Sequence, residues 1–364
     1  MRNIIFTTIL VSTLLSTYKS LASTPPNCFN FSEGTITSYN DYACDSTDVQ
    51  IPAEIKGQAV TTIGAFAFAT KHLTSVLIPN SVTTIESYAF QDNNLTYVKI
   101  PDSVTTIGEQ AFFINKLTNV ELPNLLTTIE DGVFESNMLI NIVIPKSVTK
   151  IGKRAFQRNE LTNIGIPNSI TVIEKEAFSA NKLTYVRIPN SVRIIEEAAF
   201  FINNLSNVEI PNSVVIIGAS AFNGNHLTYV TIPNSVTTIG KQAFFGNHLT
   251  NIEIPNSVTS IGASAFSNNH LTGIEIPNSV ITIGAEAFSY NHLTSIEIPS
   301  SVTIVEEWIF YNNKLTSVKI PNSVAIIREG AFLGNQLTRV KIPNPQTKIE
   351  PGAFGKDVII ERNN

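Results

Sequence analysis

Along most of this chain the apolar residues fall in short alternating bursts that return at a constant interval. An apolar residue followed by proline recurs at Pro79, Pro101, Pro123, Pro145, Pro167, Pro189, Pro211, Pro233, Pro255, Pro277, Pro299, Pro321 and Pro343, every 22 residues without an insertion. Phenylalanine keeps the same step from Phe68 to Phe354. A fixed period of this length marks a solenoid, in which each unit buries its core only against its neighbours. The unit from Leu249 to His270 reads LTNIEIPNSVTSIGASAFSNNH, and its leading Leu is numbered position 1 below.

Alternation places Leu249, Ile252 and Ile254 toward a core and Asn251 and Glu253 toward solvent, so each unit opens with a β-strand. Pro255 lacks an N–H and ends that strand. The second half returns the chain, with Val258, Ile261, Ala265 and Phe266 expected inward. Position 14 is mostly Gly or Glu, as in Gly262 and Glu196, and a carboxylate there suits the start of a short helical turn. Asn recurs at position 21 from Asn93 to Asn335. Lying between the inward Phe and the next inward Leu, these amides are expected to be buried and bonded to backbone, because an unpaired buried amide costs about 1–3 kcal/mol.

The opening L-x-x-[VI]-x-I matches the strand half of a leucine-rich repeat. Pro at 7, Ile-Gly at 13–14, Ala-Phe at 17–18 and a small polar residue at 21 resemble the BspA-like leucine-rich repeats of bacterial surface proteins. The entry Gly34-Thr35-Ile36-Thr37, followed by DVQIPAEIKGQAVTTIGAFAF from Asp48 to Phe68, resembles that family's first unit. Pro52 and Phe68 are 16 apart there against 11 in later units, so the first turn holds five extra residues. The units here are 22 residues, where the family more often has 23. The resemblance implies an α/β-type solenoid: a curved leucine-rich-repeat rod with a parallel β-sheet on its concave face and short helical or irregular turns on its convex side. Fourteen coils at about 4.8 Å per strand step make a rod roughly 65 Å long.

Met1-Arg2-Asn3, an apolar run from Ile4 to Leu15 and Ser20-Leu21-Ala22 have the form of a secretory signal peptide. Cleavage is expected after Ala22, or alternatively after Ser23. Losing Arg2 and Lys19 would take the net charge from −5 to −7. The expected organisation is a leader at 1–22, an N-terminal cap at 23–50, a solenoid at 51–354 and a capping strand at 355–364. Export permits a disulfide, and Cys28 and Cys44 are the two cysteines of the chain, so they are expected to pair and staple the cap.

Composition narrows the chemistry. Charged residues are 15% of the chain, against about 25% in soluble proteins, so Asn, Ser and Thr must supply the polar surface. The acidic balance argues against a nucleic-acid partner. No run of 18 apolar residues predicts a membrane span. Phosphate-loop, dinucleotide, zinc-protease and nucleophile-elbow motifs are missing, so neither an enzyme nor a cofactor is expected. The five histidines share position 22: His72, then His226, His248, His270 and His292 on successive coils. At about 4.8 Å per step these four are weak candidates for Zn²⁺ or Ni²⁺, or for acid-triggered repulsion. The alternative is duplication of one NHLT unit with His in an exposed loop.

Function is therefore sought where the repeat varies, in outward positions 3 and 5. Column 3 carries Tyr97, Tyr185 and Tyr229 among asparagines. Column 5 carries Glu121, Arg187, Glu209, Glu253, Glu275 and Glu297, with a basic end at Lys319 and Lys341. Tyr and Arg are frequent interface anchors, which marks Tyr185, Arg187 and Tyr229 as a patch. The leader, the long solenoid and the lack of catalytic motifs point to an exported, non-enzymatic binding protein, and the family resemblance implies an adhesin. It would be secreted or at the cell surface, with a periplasmic location as an alternative, monomeric, and bound through its concave face to a protein, matrix or cell-surface ligand. A structural component of the cell envelope is the alternative.

Overall fold

The computed structural model describes residues 23–362, so the leader reading lies outside the described residues. The chain winds into stacked coils whose strands pair in parallel and in register, residue i with residue i + 22, as Asn207–Glu209 pairs with Tyr229–Thr231. The inward set foreseen from alternation is buried: Leu249, Val258, Ala265 and Phe266 have no exposed surface, and Ile252, Ile254 and Ile261 almost none. Phe rings from Phe68 to Phe354 form one continuous stack with centroids 5.1–5.8 Å apart. That spacing exceeds the roughly 4.8 Å of a strand ladder.

A second parallel ladder, invisible in the strand-then-return reading, runs along positions 12–13. Val172–Ile173, Ile194–Ile195, Ile216–Ile217, Thr238–Ile239, Ser260–Ile261 and Thr282–Ile283 form its longest unbroken piece. The x-Ile pair supplies one outward and one buried side chain, as period two requires.

The expected helical turns on the outer side are corrected by the structure, and with them the α/β description. Among the described residues the sole helical element is the three-residue 3₁₀ turn Pro26–Cys28 in the cap. Positions 16 and 20 instead take left-handed backbone in coil after coil, as in Tyr88 (φ 62), Asp92 (φ 54), Ile202 (φ 49) and Ser264 (φ 54). A residue in that region interrupts any right-handed helix. The N–H groups at 16, 18 and 20 then point along the stack: Tyr88, Phe90 and Asp92 donate to the carbonyls of Glu109, Ala111 and Phe113 at 2.8–2.9 Å. Position 14 is no helix start either. The Glu86 carboxylate accepts the Ala65 N–H of the coil before it (2.8 Å), and a Cβ on Gly262 would lie 2.4 Å from the Lys241 backbone N.

The asparagine column behaves as its position demands. From Asn93 to Asn335 each Oδ1 accepts the N–H of the leucine twenty residues earlier. Each Nδ2 donates to the carbonyl of a Phe in the preceding coil, as Asn225 does with Leu205 and Phe200.

At the N-terminal end Phe29–Ser32 and Thr35–Tyr39 form an antiparallel hairpin, and Thr35–Tyr39 joins Thr62–Ile63 at the start of the second ladder. Tyr39 and Phe29 continue the aromatic stack onto Phe68 with centroids 5.6 and 6.2 Å away. The five extra residues of the first coil become a second hairpin, Glu54–Ile55 with Gln58–Ala59, closed by Lys56-Gly57. Both loop residues have positive φ (52 and 80), the backbone of a type I′ turn, and this is where Gly is required. Cys28 and Cys44 are disulfide-bonded with Cα atoms 5.8 Å apart. The bridge closes a loop of 16 residues, and removing it (Cys28→Ser with Cys44→Ser) is expected to destabilise the cap by about 3 kcal/mol. Faster hydrogen exchange at Phe29 and Tyr39, with the amides of coil 205–226 unchanged, would show it; unchanged cap exchange would refute it. At the other end Ile359–Arg362 adds in parallel to Arg339–Ile342.

Candidate functional site

The site is the solvent-facing side of the strands at positions 3–5, because there the core dictates nothing. Side chains at positions 3 and 5 stand out from strands whose position 4 is buried, giving the exposed–buried–exposed pattern of Tyr97–Lys99, Asn207–Glu209 and Ser295–Glu297. Every residue of columns 3 and 5 singled out from the sequence is exposed.

The structure gathers some of them and separates others. Glu121 is held from the neighbouring coil by the Tyr97 hydroxyl, which donates to Oε1 at 2.9 Å, and by the Lys99 ammonium, 3.8 Å from Oε2. Glu297 meets Lys319 at 2.6 Å, so the expected acidic centre is partly neutralised from the basic end. Among the described residues Glu253 and Glu275 form no ion pair and keep their charge open to solvent. Tyr185 and Arg187 share a coil. Tyr229 stands two coils further on, about 10 Å along the ladder. Its hydroxyl accepts a hydrogen bond from Thr231 (3.0 Å) rather than meeting Tyr185. Glu209 sits beside Arg187 in the ladder. These exposed pairs are worth about 0–1 kcal/mol each, so they shape the surface more than they hold the fold.

The histidine column is exposed and ordered as a stack. His226, His248, His270 and His292 lie ring over ring at 5.5–5.6 Å with planes within 16°. In near-parallel rings the nitrogen lone pairs lie in the ring planes and do not converge on a point between them. Accordingly no group of three or more His, Cys, Asp or Glu among the described residues could hold a metal ion. No described helix is long and apolar enough to cross a membrane.

Three features escaped the sequence reading. One is an open pocket of about 450 Å³ between the two N-terminal hairpins, lined by Pro26, Asn27, Phe29, Phe31, Ile55 and Lys56. Another is the depression beside Gly165, a column-5 residue that the sequence places between Val143 and Arg187. The last is Glu135, the only acid in the position-19 column. It is buried, and its Oε2 has no hydrogen-bond partner among the described residues. Burial pushes its carboxyl above the usual carboxylate range, against the opposing pull of Arg154, Gln110 and Arg158. Such a raised value means that the folded state favours the protonated acid. The contribution to stability is full below the ordinary Glu value of about 4.3 and is lost as pH rises through the folded value. Glu135→Gln, which is neutral at every pH, is expected to match the parent near pH 4 and to exceed its unfolding midpoint increasingly toward pH 8. A difference that stays flat with pH would contradict the burial argument.

Comparison with known proteins agrees with this geometry. The BspA type leucine rich repeat region family, represented as six repeat copies, matches residues 34–161, 127–249 and 237–361. A leucine-rich repeat protein from Bacteroides ovatus is similar at 26% identity and TM-score 0.73, over 92% of this chain and 98% of that one. A leucine rich cell surface protein from Faecalibacterium prausnitzii is 25% identical with TM-score 0.52, over 92% and 93%. The pneumococcal vaccine antigen PcpA shares the fold at 16% identity and TM-score 0.59, over 92% and 96%. No curated protein matches the chain.

Proposed function

Because the chain belongs to the BspA type leucine-rich repeat family, we propose that it is an exported, non-enzymatic binding protein that recognises a protein or cell-surface ligand through strand columns 3 and 5. The observation that carries this reading is the contrast between columns. Positions 10, 17 and 18 scarcely change from coil to coil and are buried, whereas positions 3 and 5 run through Tyr, Asn, Glu, Arg, Lys, Val and Gly and are exposed. Extended repeat faces of this kind serve recognition, since a rigid stack presents many side chains on a backbone that needs no ordering on binding. In this reading residues 1–22 are the leader, 23–50 cap the stack and 355–364 close it. The surface location that describes the Faecalibacterium relative supports placing this protein at the cell surface or outside the cell.

The experiment is a pull-down from matrix, cell-surface protein and glycan panels with the exported protein and with a Tyr185→Ala, Arg187→Ala, Tyr229→Ala variant. Capture by the parent and loss with the variant is the expected result. No capture by either protein, with the native protein retained in the envelope on fractionation, would favour an envelope spacer. The uninterrupted Phe stack gives that second reading its physical basis, because it makes a stiff rod.

A further inference from the structure

Column 5 is interrupted at one place that combines a gap, a cation and an apolar wall. Gly165 carries no side chain where the neighbouring coils carry Val143 and Arg187, and an added Cβ there would meet nothing within 4 Å. The gap opens into a depression of about 220 Å³ lined by Gly165, Ile166, Asn168, Arg187 and Pro189. Val143, on the far side of Gly165, is 84% exposed, a large apolar side chain left in solvent. Arg187 is paired through the ladder with both Gly165 and Glu209. Among the described residues it nevertheless makes no ion pair, whereas Lys99 and Lys319 in the same column each meet a glutamate one coil away. Arg187 is one of the residues lining the depression. Tyr185, half exposed in column 3 of the same coil, stands beside it.

The geometry points to a docking notch for an acidic side chain of a partner protein, flanked on the partner by aliphatic residues. The carboxylate would take the guanidinium of Arg187, whose planar fork suits two parallel N–H···O bonds. The missing side chain at Gly165 lets the partner's backbone come close, and the adjoining aliphatic residue covers Val143. Charge complementarity selects a carboxylate over an amide, and Val143 selects an apolar neighbour over a second charge. This inference rests on the strand face being the docking surface.

The test uses the full protein with labelled Ile and Val methyl groups, titrated with the capped peptide Ala-Val-Glu-Val-Ala and with its Ala-Val-Gln-Val-Ala counterpart. Shifts centred on Val143 and Ile166 with the Glu peptide, and affinity weaker by roughly tenfold or more with the Gln peptide, are expected. Arg187→Gln should abolish the preference for Glu. Gly165→Val, which places in the gap the residue that the same column already accepts at Val143, should abolish the shifts while the protein stays folded. Lys319→Gln should change nothing. Equal response to both peptides, no response, or persistence of the Glu preference in either notch variant overturns the notch. Methyl shifts with 3′-sialyllactose and none with the Glu peptide would overturn the protein partner in favour of an acidic glycan. If the pull-down captures a partner that Arg187→Gln and Gly165→Val still bind, this inference fails and the wider reading stands. If no partner is captured, the wider reading fails, and the peptide titration still decides the notch.

Discussion

Asn225→Ala is expected to lower the unfolding free energy by at least about 3 kcal/mol, since it leaves three buried polar groups unpaired and each costs about 1–3 kcal/mol. The side chain is 2% exposed. Its Oδ1 accepts the Leu205 N–H at 3.1 Å, and its Nδ2 donates to the Phe200 and Phe222 carbonyls at 2.9 and 3.1 Å. Truncation leaves one donor and two acceptors in a place sealed by Phe222 and Leu205, both without exposed surface. Asn225→Asp separates hydrogen bonding from volume. It keeps the acceptor for Leu205 but loses the donors, and sets a carboxylate against two carbonyls, so it should cost at least as much as alanine. Urea unfolding of the two variants measures this. A loss below about 1 kcal/mol for alanine would mean that water reaches the ladder and satisfies it.

Phe222→Ala should cost about 3–5 kcal/mol, the usual price of truncating a fully buried phenylalanine. Its ring lies 5.5 Å from both Phe200 and Phe244, so the hole is walled by two rings that cannot move inward without leaving their own neighbours. Phe354→Ala is the matched control. That ring is 9% exposed and stacks on Phe332 alone, so part of its surface never leaves water and the edge can relax. The expected order is Phe222 well above Phe354, with hydrogen exchange in the Phe222 variant accelerated first in the coils from Leu205 to His248. Because each coil contacts only its neighbours, a central defect should also broaden the unfolding transition. Equal losses at the two sites would count against the stack as the main source of apolar burial.

Much of the candidate site was legible in residue order. Strict alternation around Val230 places Tyr229 and Thr231 outward, and a period of 22 places Glu253, Glu275 and Glu297 in one file. Ion-pair status was not legible. Lys319 lies one period from Glu297 and pairs with it, whereas Arg187 lies one period from Glu209 and, among the described residues, forms no ion pair, so the outcome depends on which way the two side chains turn across the coils. At Gly165 the period already sets a glycine between Val143 and Arg187, but the depression beside it, walled by Ile166, Asn168 and Pro189, came only from the fold.

The period, the inward set and the buried amide column follow from the sequence alone. An apolar side chain repeated at one phase has no option but to face a common core, and an amide held beside it must find backbone partners. The disulfide was likewise foreseen from two cysteines in an exported reading. The backbone of the outer turns was decided only by stacking. Nothing about Tyr88, Ile202 or Trp308 favours positive φ, and in isolation a left-handed residue costs about 1–2 kcal/mol. The cost is accepted because it turns the amides of positions 16, 18 and 20 toward the next coil, where carbonyls wait at hydrogen-bonding distance. A helix there would satisfy its own amides and leave the neighbouring coil's carbonyls bare. That choice belongs to the assembled stack, which is why the helical expectation failed on this side while the strand expectation held on the other.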